Sequence, residues 1–105
     1  MEKEEIRRDG AKAQKNSGRG KIQKGDAILE PFCYDIKEYE KSFSINSDVW
    51  AKACSDAFKS GNGAFGRYQP AIKIVLGRPN SKIRLWVIED DMMDQMREAW
   101  VEKYG

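Results

Sequence analysis

The chain has 105 residues, of which 40% are hydrophobic and 34% charged, and its formal net charge is +2. These values predict one small globular domain in the cytoplasm and exclude a disordered chain, while the apolar runs are too short for a membrane span and the N-terminus is too charged for a signal peptide. The sequence contains no histidine, which excludes Ser-His and Cys-His nucleophiles and histidine-bound metal sites.

The pattern predicts three helices, at 2–14, 48–59 and 90–103. It predicts four strands, at 25–29, 32–39, 70–77 and 83–89, with room for a short additional strand near 20–23. This order predicts an α/β fold with a mixed central β-sheet flanked by helices, in one domain that consists of a basic N-terminal helix and loop (1–24) and a sheet core (25–105).

Local signals add detail to these elements. Ser47 is the expected N-cap of the second helix. The glycine-rich stretch at 60–69 is predicted to be a loop, and the strands on either side of 78–82 are predicted to pair as a hairpin. The last helix is expected to bury an apolar stripe, and Trp50 and Trp86 are expected in the core. That stripe consists of Met92, Met93, Met96 and Trp100.

Basic residues are concentrated near the N-terminus, where residues 7–24 carry seven lysines and arginines against one acid, Asp9. A basic stretch that is also rich in glycine and serine suits contact with phosphate groups. A solvated arm without a binding role is the alternative. At the other end, the acidic run at 89–94 is predicted to be the charged start of the last helix, with a metal-binding cluster as the alternative.

Two acids and a lysine occur on the first two predicted strands. Alternation along 32–39 puts Asp35 and Lys37 on one face, and a short turn makes the preceding strand an antiparallel neighbour, so that Asp26 reaches the same face. Two converging carboxylates favour a hard divalent cation such as Mg²⁺, and an adjacent lysine is suited to orient water and to stabilise a phosphate oxyanion. The pattern is typical of phosphodiester hydrolysis, and a surface charge pair is the alternative.

The stretch "NSGRGKIQKGDAI…YDIKEYEKSFSI…VWAK" resembles the PD-(D/E)xK nuclease superfamily, in particular the small Holliday-junction-resolvase-like endonucleases of phages and archaea. The resemblance implies a restriction-endonuclease-like core in which Asp26 and Asp35 bind Mg²⁺, or Mn²⁺ in its place, and Lys37 is the catalytic lysine. It also implies a metal-binding acid on the first helix, for which Glu5 is favoured over Glu4 and Asp9. The sequence departs from the family pattern at Gly25, where proline is usual, and at Asp35, where glutamate is commoner.

The resemblance implies a Mg²⁺-dependent endonuclease for branched DNA, most simply a Holliday junction resolvase in DNA recombination, in which metal-activated water attacks the phosphodiester. Because a junction is nearly two-fold symmetric and one chain carries one site, a homodimer is expected, with Trp100 and Met96 at its interface. The expected DNA contacts are Arg7, Arg8, Lys12, Lys15, Ser17, Arg19, Lys21, Lys41, Ser42 and Arg67. The alternatives are a nicking or structure-nonspecific endonuclease, or a non-catalytic nucleic-acid-binding protein on the same scaffold.

Overall fold

The computed structural model of the protein describes residues 2–14 and 25–105. Within these ranges, five strands form one mixed sheet and two short strands form a separate ribbon. The helices are α1 (Glu2–Asp9), α2 (Ser47–Ser60) and α3 (Asp90–Tyr104), and the strands are β1 (Lys12–Ala13), β2 (Ala27–Leu29), β3 (Phe32–Tyr39), β4 (Asn62–Gly63), β5 (Gly66–Arg67), β6 (Gln69–Arg78) and β7 (Ser81–Ile88). The predicted α/β class with a mixed central sheet is thereby confirmed.

The strand order of the large sheet is β1-β2-β3-β6-β7. β2 and β3 are antiparallel, as predicted, and so are β6 and β7, which form the predicted hairpin. Between β3 and β6 the chain crosses one face of the sheet through α2, and β6 therefore runs parallel to β3. The ribbon of β4 and β5 lies within the stretch predicted to be a loop.

The first helix is shorter than predicted, because it ends at Asp9 rather than at residue 14. Gly10 has a φ of +69°, and its N–H donates to the carbonyl of Arg7 at 3.1 Å, which closes the helix at a left-handed glycine. The chain then forms β1, which pairs with β2 at the sheet edge. The predicted loop at 15–21 and the additional strand near 20–23 lie outside the described residues.

The two faces of the sheet carry two apolar clusters. On the α1 face, Ile6 of α1 packs against a cluster built from β2, β3 and β6 that includes Tyr34 and Val75. On the opposite α2 face, Ala53 of α2 packs against Ile72 and Ile74 of β6, with Trp50 half-buried beside them. Since successive residues of a strand point to opposite faces, Tyr34 and Asp35 lie on opposite sides of the sheet.

The N-cap of α2 is Asn46 and not Ser47. The Asn46 side chain accepts a hydrogen bond from the Val49 N–H at 2.9 Å, which satisfies a donor that the first helical turn leaves unpaired. The last helix begins at Asp90 as the acidic run predicts, with Glu89 as its N-cap.

The predicted burial of the last helix is wrong. α3 has no buried residue, and its side of the molecule exposes Met93, Met96 and Trp100, the last with 64% of its surface accessible. β7 is an edge strand that exposes Ile83 and Leu85, so it is not the interior strand that its apolar sequence indicates, and Trp86 is 42% exposed. An apolar stripe shows which face of an element avoids water, but it does not show whether the same chain covers that face.

Candidate functional site

Asp26 and Asp35 lie side by side at the junction of β2 and β3. The Asp26 N–H donates to the carbonyl of Tyr34 at 3.0 Å, which continues the antiparallel ladder one residue before β2. The carboxylate of Asp26 accepts a hydrogen bond from the Ile36 N–H at 2.6 Å. The structure therefore brings the two predicted ligands together, with one oxygen of Asp26 fixed against β3.

Asp35 is a buried carboxylate, with 6% of its surface exposed. Among the described residues, none donates a hydrogen bond to its oxygens or forms an ion pair with it. The pKa of Asp35 is raised to about 6, chiefly by burial; the charges of Asp26 and Asp56 add to the rise, and those of Lys52 and Lys37 oppose it. A buried charge without such partners is costly, so the carboxyl group favours its neutral form, and a bound cation would stabilise the charged form.

Lys37 lies on the same face as Asp35, two residues along β3, as the alternation predicts. Its ammonium lies 5.9 Å from the centre of the Phe43 ring. Its positive charge lowers the pKa of Asp35 less than that of Lys52 does. The predicted set of Asp26, Asp35 and Lys37 is therefore assembled on the α2 face.

The backbone at Gly25 excludes the proline that is usual at this place in the nuclease pattern the sequence resembles. Its φ is +80°, which the ring of proline does not allow. A side chain here would also be crowded, because a Cβ would lie 3.0 Å from the Cys33 sulfur and 3.2 Å from an Asp35 oxygen. Glycine thus lets the backbone pass close to the buried carboxylate.

Helix α2 adds two charged residues to this face that sequence reasoning missed, Lys52 and Asp56. Asp56 is 3% exposed, and its carboxylate accepts a hydrogen bond from Lys52 at 2.8 Å. A signal was present in the sequence, because Asp56 falls in the apolar stripe between Ala53 and Ala57, where an acid is unexpected. We call the set on this face the α2-face site; it consists of Asp26, Asp35, Lys37, Lys52 and Asp56.

Glu5 is not placed with these residues, contrary to its expected role as a metal ligand. Its carboxylate is 2% exposed and accepts two hydrogen bonds from Arg84, at 2.9 and 3.1 Å. Lys73, which is 1% exposed, forms an ion pair with it at 2.8 Å. The bond from Arg84 contributes most to lowering the pKa of Glu5 to about 2. Both cations belong to the α1 face, so α1 directs Glu5 away from Asp35.

Asp9 belongs to the same set as Glu5. It accepts hydrogen bonds from Lys73 at 2.5 Å and from the Tyr34 hydroxyl at 2.7 Å. Glu4, the other competitor for the helix acid, is exposed. We call the set on this face the α1-face network; it consists of Glu5, Asp9, Tyr34, Lys73 and Arg84.

The expected DNA contacts that the structure describes are all exposed. Arg67 stacks on Phe58, with its guanidinium carbon 4.7 Å from the ring centre. The other exposed members are Arg7, Arg8, Lys12, Lys41 and Ser42. Lys15, Ser17, Arg19 and Lys21 lie outside the described residues.

An open cleft of about 510 Å³ lies beside β1 and β2 at one edge of the sheet, and Lys12 is among its lining residues. Gln14 and Ser60 also line it and are joined by a hydrogen bond of 2.8 Å. The Ser60 hydroxyl lies 3.3 Å from the sulfur of Cys33, which shares the face of Asp35. The cleft is therefore adjacent to the α2-face site.

A second group of carboxylates lies at the start of α3. Oxygens of Asp90, Asp91 and Asp94 lie within 4.8 Å of one another, and all three residues are exposed. Acids in the first turn of a helix are stabilised by its dipole. This accounts for the group without a bound ion.

No protein-family model matches the chain, and neither a curated protein nor a solved structure does so. Among the described residues, no helix is long and apolar enough to cross a membrane. Inference about function therefore starts from the geometry of the α2-face site.

Proposed function

We propose that the protein is a Mg²⁺-dependent DNA endonuclease that cleaves branched DNA, with a Holliday junction as its substrate. The observation that carries this proposal is the buried Asp35 carboxylate, which lies beside Asp26 and receives no hydrogen bond from the described residues. Together with the resemblance to PD-(D/E)xK nucleases, this arrangement supports a metal centre rather than a surface charge pair.

The α2-face site suits a divalent cation. Its three carboxylates outnumber its two lysines, so the site carries net negative charge when all five groups are ionised. Carboxylate oxygens are the ligands that Mg²⁺ and Mn²⁺ accept most readily. Asp26 and Asp35 would hold the ion, which would act as a Lewis acid and lower the pKa of a bound water.

The protein's own groups then have separate tasks. The backbone N–H of Ile36 fixes the Asp26 carboxylate, so that its position does not depend on a side-chain rotation. Lys37 provides a positive charge on the same face, where a phosphate approaching the two acids would lie. The packing of α2 against β3 and β6 limits the access of water to Asp35.

Exposed basic residues support DNA as the substrate. Lys12 lines the cleft beside the α2-face site and Lys41 follows β3 beyond Lys37, whereas Arg7 and Arg8 lie on α1, which covers the opposite face of the sheet. Each such contact releases counterions from the DNA, so the affinity should fall steeply with salt. We propose that the protein acts on this DNA in the cytoplasm.

A homodimer fits both the substrate and the surface. Met93, Met96, Trp100 and Tyr104 are spaced three or four residues apart and form an exposed apolar stripe on α3. Large exposed apolar patches are typical of interaction surfaces. We propose that a second copy covers this stripe, which would give two sites for the two strands that are cut in a four-way junction.

The test uses a synthetic four-way junction and a linear duplex of the same sequence, with Mg²⁺ and with chelator. Paired nicks in the junction alone are expected, and the Asp35→Asn variant should lose cleavage by at least about 100-fold. Asp48→Asn is the matched control, because Asp48 is exposed on α2. This variant should cut the junction at the normal rate.

Other outcomes separate the alternatives. Equal cutting of both DNAs would indicate a nuclease without preference for branched substrates. Tight junction binding without cleavage in Mg²⁺ or Mn²⁺ would leave a nucleic-acid-binding protein. Normal cleavage by Asp35→Asn would show that this carboxylate plays no part in the reaction.

A further inference from the structure

Helix α2 contributes a lysine, Lys52, to the face of the sheet on which the acids of the β2–β3 junction lie. Residues 53, 56 and 57 form its buried face, and Lys52 lies at the margin of this face with 49% of its side chain exposed. The ammonium of Lys52 is held at 2.8 Å by Asp56, one turn further along the helix. Lys52 is thus anchored at its tip while about half of its side chain remains exposed.

The position of Asp56 is not explained by helix stability. An exposed ion pair between residues four apart contributes about 0.3–0.5 kcal/mol, and it does not require burial of the acid. Here the acid is 3% exposed within an apolar stripe, where a hydrophobic residue would stabilise the fold at least as well. The arrangement instead holds the ammonium at a defined place on the α2 face.

That place is close to Asp35, because Ala53, which follows Lys52, packs against Ile72, the residue of β6 that pairs with Asp35. In keeping with this placement, the charge of Lys52 acts on the Asp35 carboxylate more strongly than the charge of Lys37 does. In return, the bond to Asp56 and the charges of Asp35 and Asp26 raise the pKa of Lys52, which keeps it an ammonium. Lys37 lies instead beside the Phe43 ring. The site therefore holds two lysines that approach the acids from different elements.

We propose that Lys52 is a second functional lysine of this site and binds a phosphate oxygen of the substrate, with Asp56 as the residue that positions it. The inference rests on the proposed function, since it assigns Lys52 to the same phosphodiester. When a divalent cation occupies Asp26 and Asp35, its charge opposes that of the ammonium. Because about half of its side chain is exposed, Lys52 can turn toward the phosphate while Asp56 keeps its ammonium within reach.

The experiment compares Lys52→Met with Lys52→Arg and with Lys59→Met, which removes an exposed lysine from the last turn of the same helix. For junction cleavage, kcat should fall about 100-fold in Lys52→Met, as for the loss of a donor to a transition-state oxyanion, while KM changes much less. Lys52→Arg should recover part of the rate, and Lys59→Met should match the wild type. Asp56→Asn, which removes the negative charge that holds the Lys52 ammonium, should lower kcat by a smaller factor than Lys52→Met does.

A second readout separates this role from a structural one. Calorimetric titration of Mn²⁺ into the protein without DNA should show binding about three- to tenfold tighter in Lys52→Met, because a like charge beside the acids is gone. A merely structural lysine would weaken both Mn²⁺ binding and cleavage on removal. An unchanged rate and affinity in Lys52→Met, in a protein whose Asp35→Asn variant loses Mn²⁺ binding, would overturn the role of Lys52 and leave the nuclease proposal intact. If Asp35→Asn bound Mn²⁺ like the wild type, the metal centre itself would fail.

Discussion

The two faces of one sheet carry two groups of buried charge that differ in how their charges are compensated. In the α1-face network, Arg84 and Lys73 donate to Glu5, and Lys73 and Tyr34 donate to Asp9. Its two acids face two cations. In the α2-face site, three acids face two lysines, and no described residue donates a hydrogen bond to Asp35.

The difference separates buried charge that is paired within the fold from buried charge that, under the proposed function, would bind a ligand. A fully paired buried network attaches α1 to β6 and β7, and breaking it leaves cations without partners. A buried carboxylate with a raised pKa opposes folding in its charged form, and such groups cluster at functional sites. Removing an acid should therefore have opposite effects on stability on the two faces.

The largest expected effect is a loss of stability in Glu5→Ala. Lys73 loses one of its two acids and Arg84 loses its bidentate partner. The free energy of unfolding should therefore fall by about 3 to 5 kcal/mol. Urea denaturation followed by circular dichroism measures this change. Glu4→Ala, an exposed position on the same helix, should change stability by less than about 0.5 kcal/mol. A loss equal to that control would show that the network does not hold α1.

Acid titration should show the same network through Glu5. The pKa of Glu5 falls from an ordinary 4.5 to about 2 in the folded protein, chiefly because Arg84 donates to it. The contribution of Glu5 to the free energy of unfolding is therefore fully present above pH 4.5. It is lost as the pH falls toward 2, by up to about 3 kcal/mol. In Glu5→Gln this part of the acid-induced loss should be absent, and an unchanged pH profile would contradict the assignment.

The Asp35→Asn variant should be more stable than the wild type in the absence of metal. The pKa of Asp35 rises from an ordinary 3.8 to about 6 through burial, so folding favours its neutral form. The favourable contribution of Asp35 to the free energy of unfolding is present below pH 3.8 and is lost as the pH rises through 6. Above that pH the amide should raise the free energy of unfolding by about 1 to 3 kcal/mol.

This gain tests the trade-off between stability and activity, because the same variant should lose cleavage. Urea denaturation in chelator at pH 5 and pH 8 measures it, and the difference between variant and wild type should be larger at pH 8. A loss of stability at pH 8 would mean that Asp35 is already compensated, and the two faces would then be alike.

The smallest expected effect is that of Tyr34→Phe. The Tyr34 hydroxyl donates to Asp9, which keeps its bond to Lys73 in the variant. Stability should fall by about 1 to 2 kcal/mol. Tyr39→Phe on the same strand is the control, since Tyr39 is exposed and should change stability by less than about 0.5 kcal/mol. Thermal unfolding of both variants in metal-free buffer provides the comparison.

Local pattern was sufficient for most elements and for part of the site. Alternation along 32–39 correctly assigns Asp35 and Lys37 to one face, and the short turn before this strand brings Asp26 beside them. One error has a local cause, because the first helix stops at the left-handed Gly10 and not at residue 14. The other falls where neighbours in space decide, because α3 exposes the stripe that was expected to be buried.

The third acid shows the limit most clearly. Glu5 was chosen by its position on a helix, but which face of the sheet a helix covers depends on the packing of residues far apart in sequence. Lys73 and Arg84 lie 68 and 79 residues beyond Glu5, and they direct it to the α1 face. Lys52 and Asp56 were not predicted for the same reason, because they reach Asp35 only through the packing of α2 against the sheet.

The sequence by itself determined the strand faces, the pairing of β2 with β3, and a chemistry limited to carboxylates and lysines by the absence of histidine. These depend on residue type and on the two-residue period of a strand, which are local properties. The tertiary structure alone decided that α1 and α2 cover opposite faces, and hence which buried acids are compensated. Burial and ion pairing are relations between distant residues, so they are settled when the helices pack against the sheet.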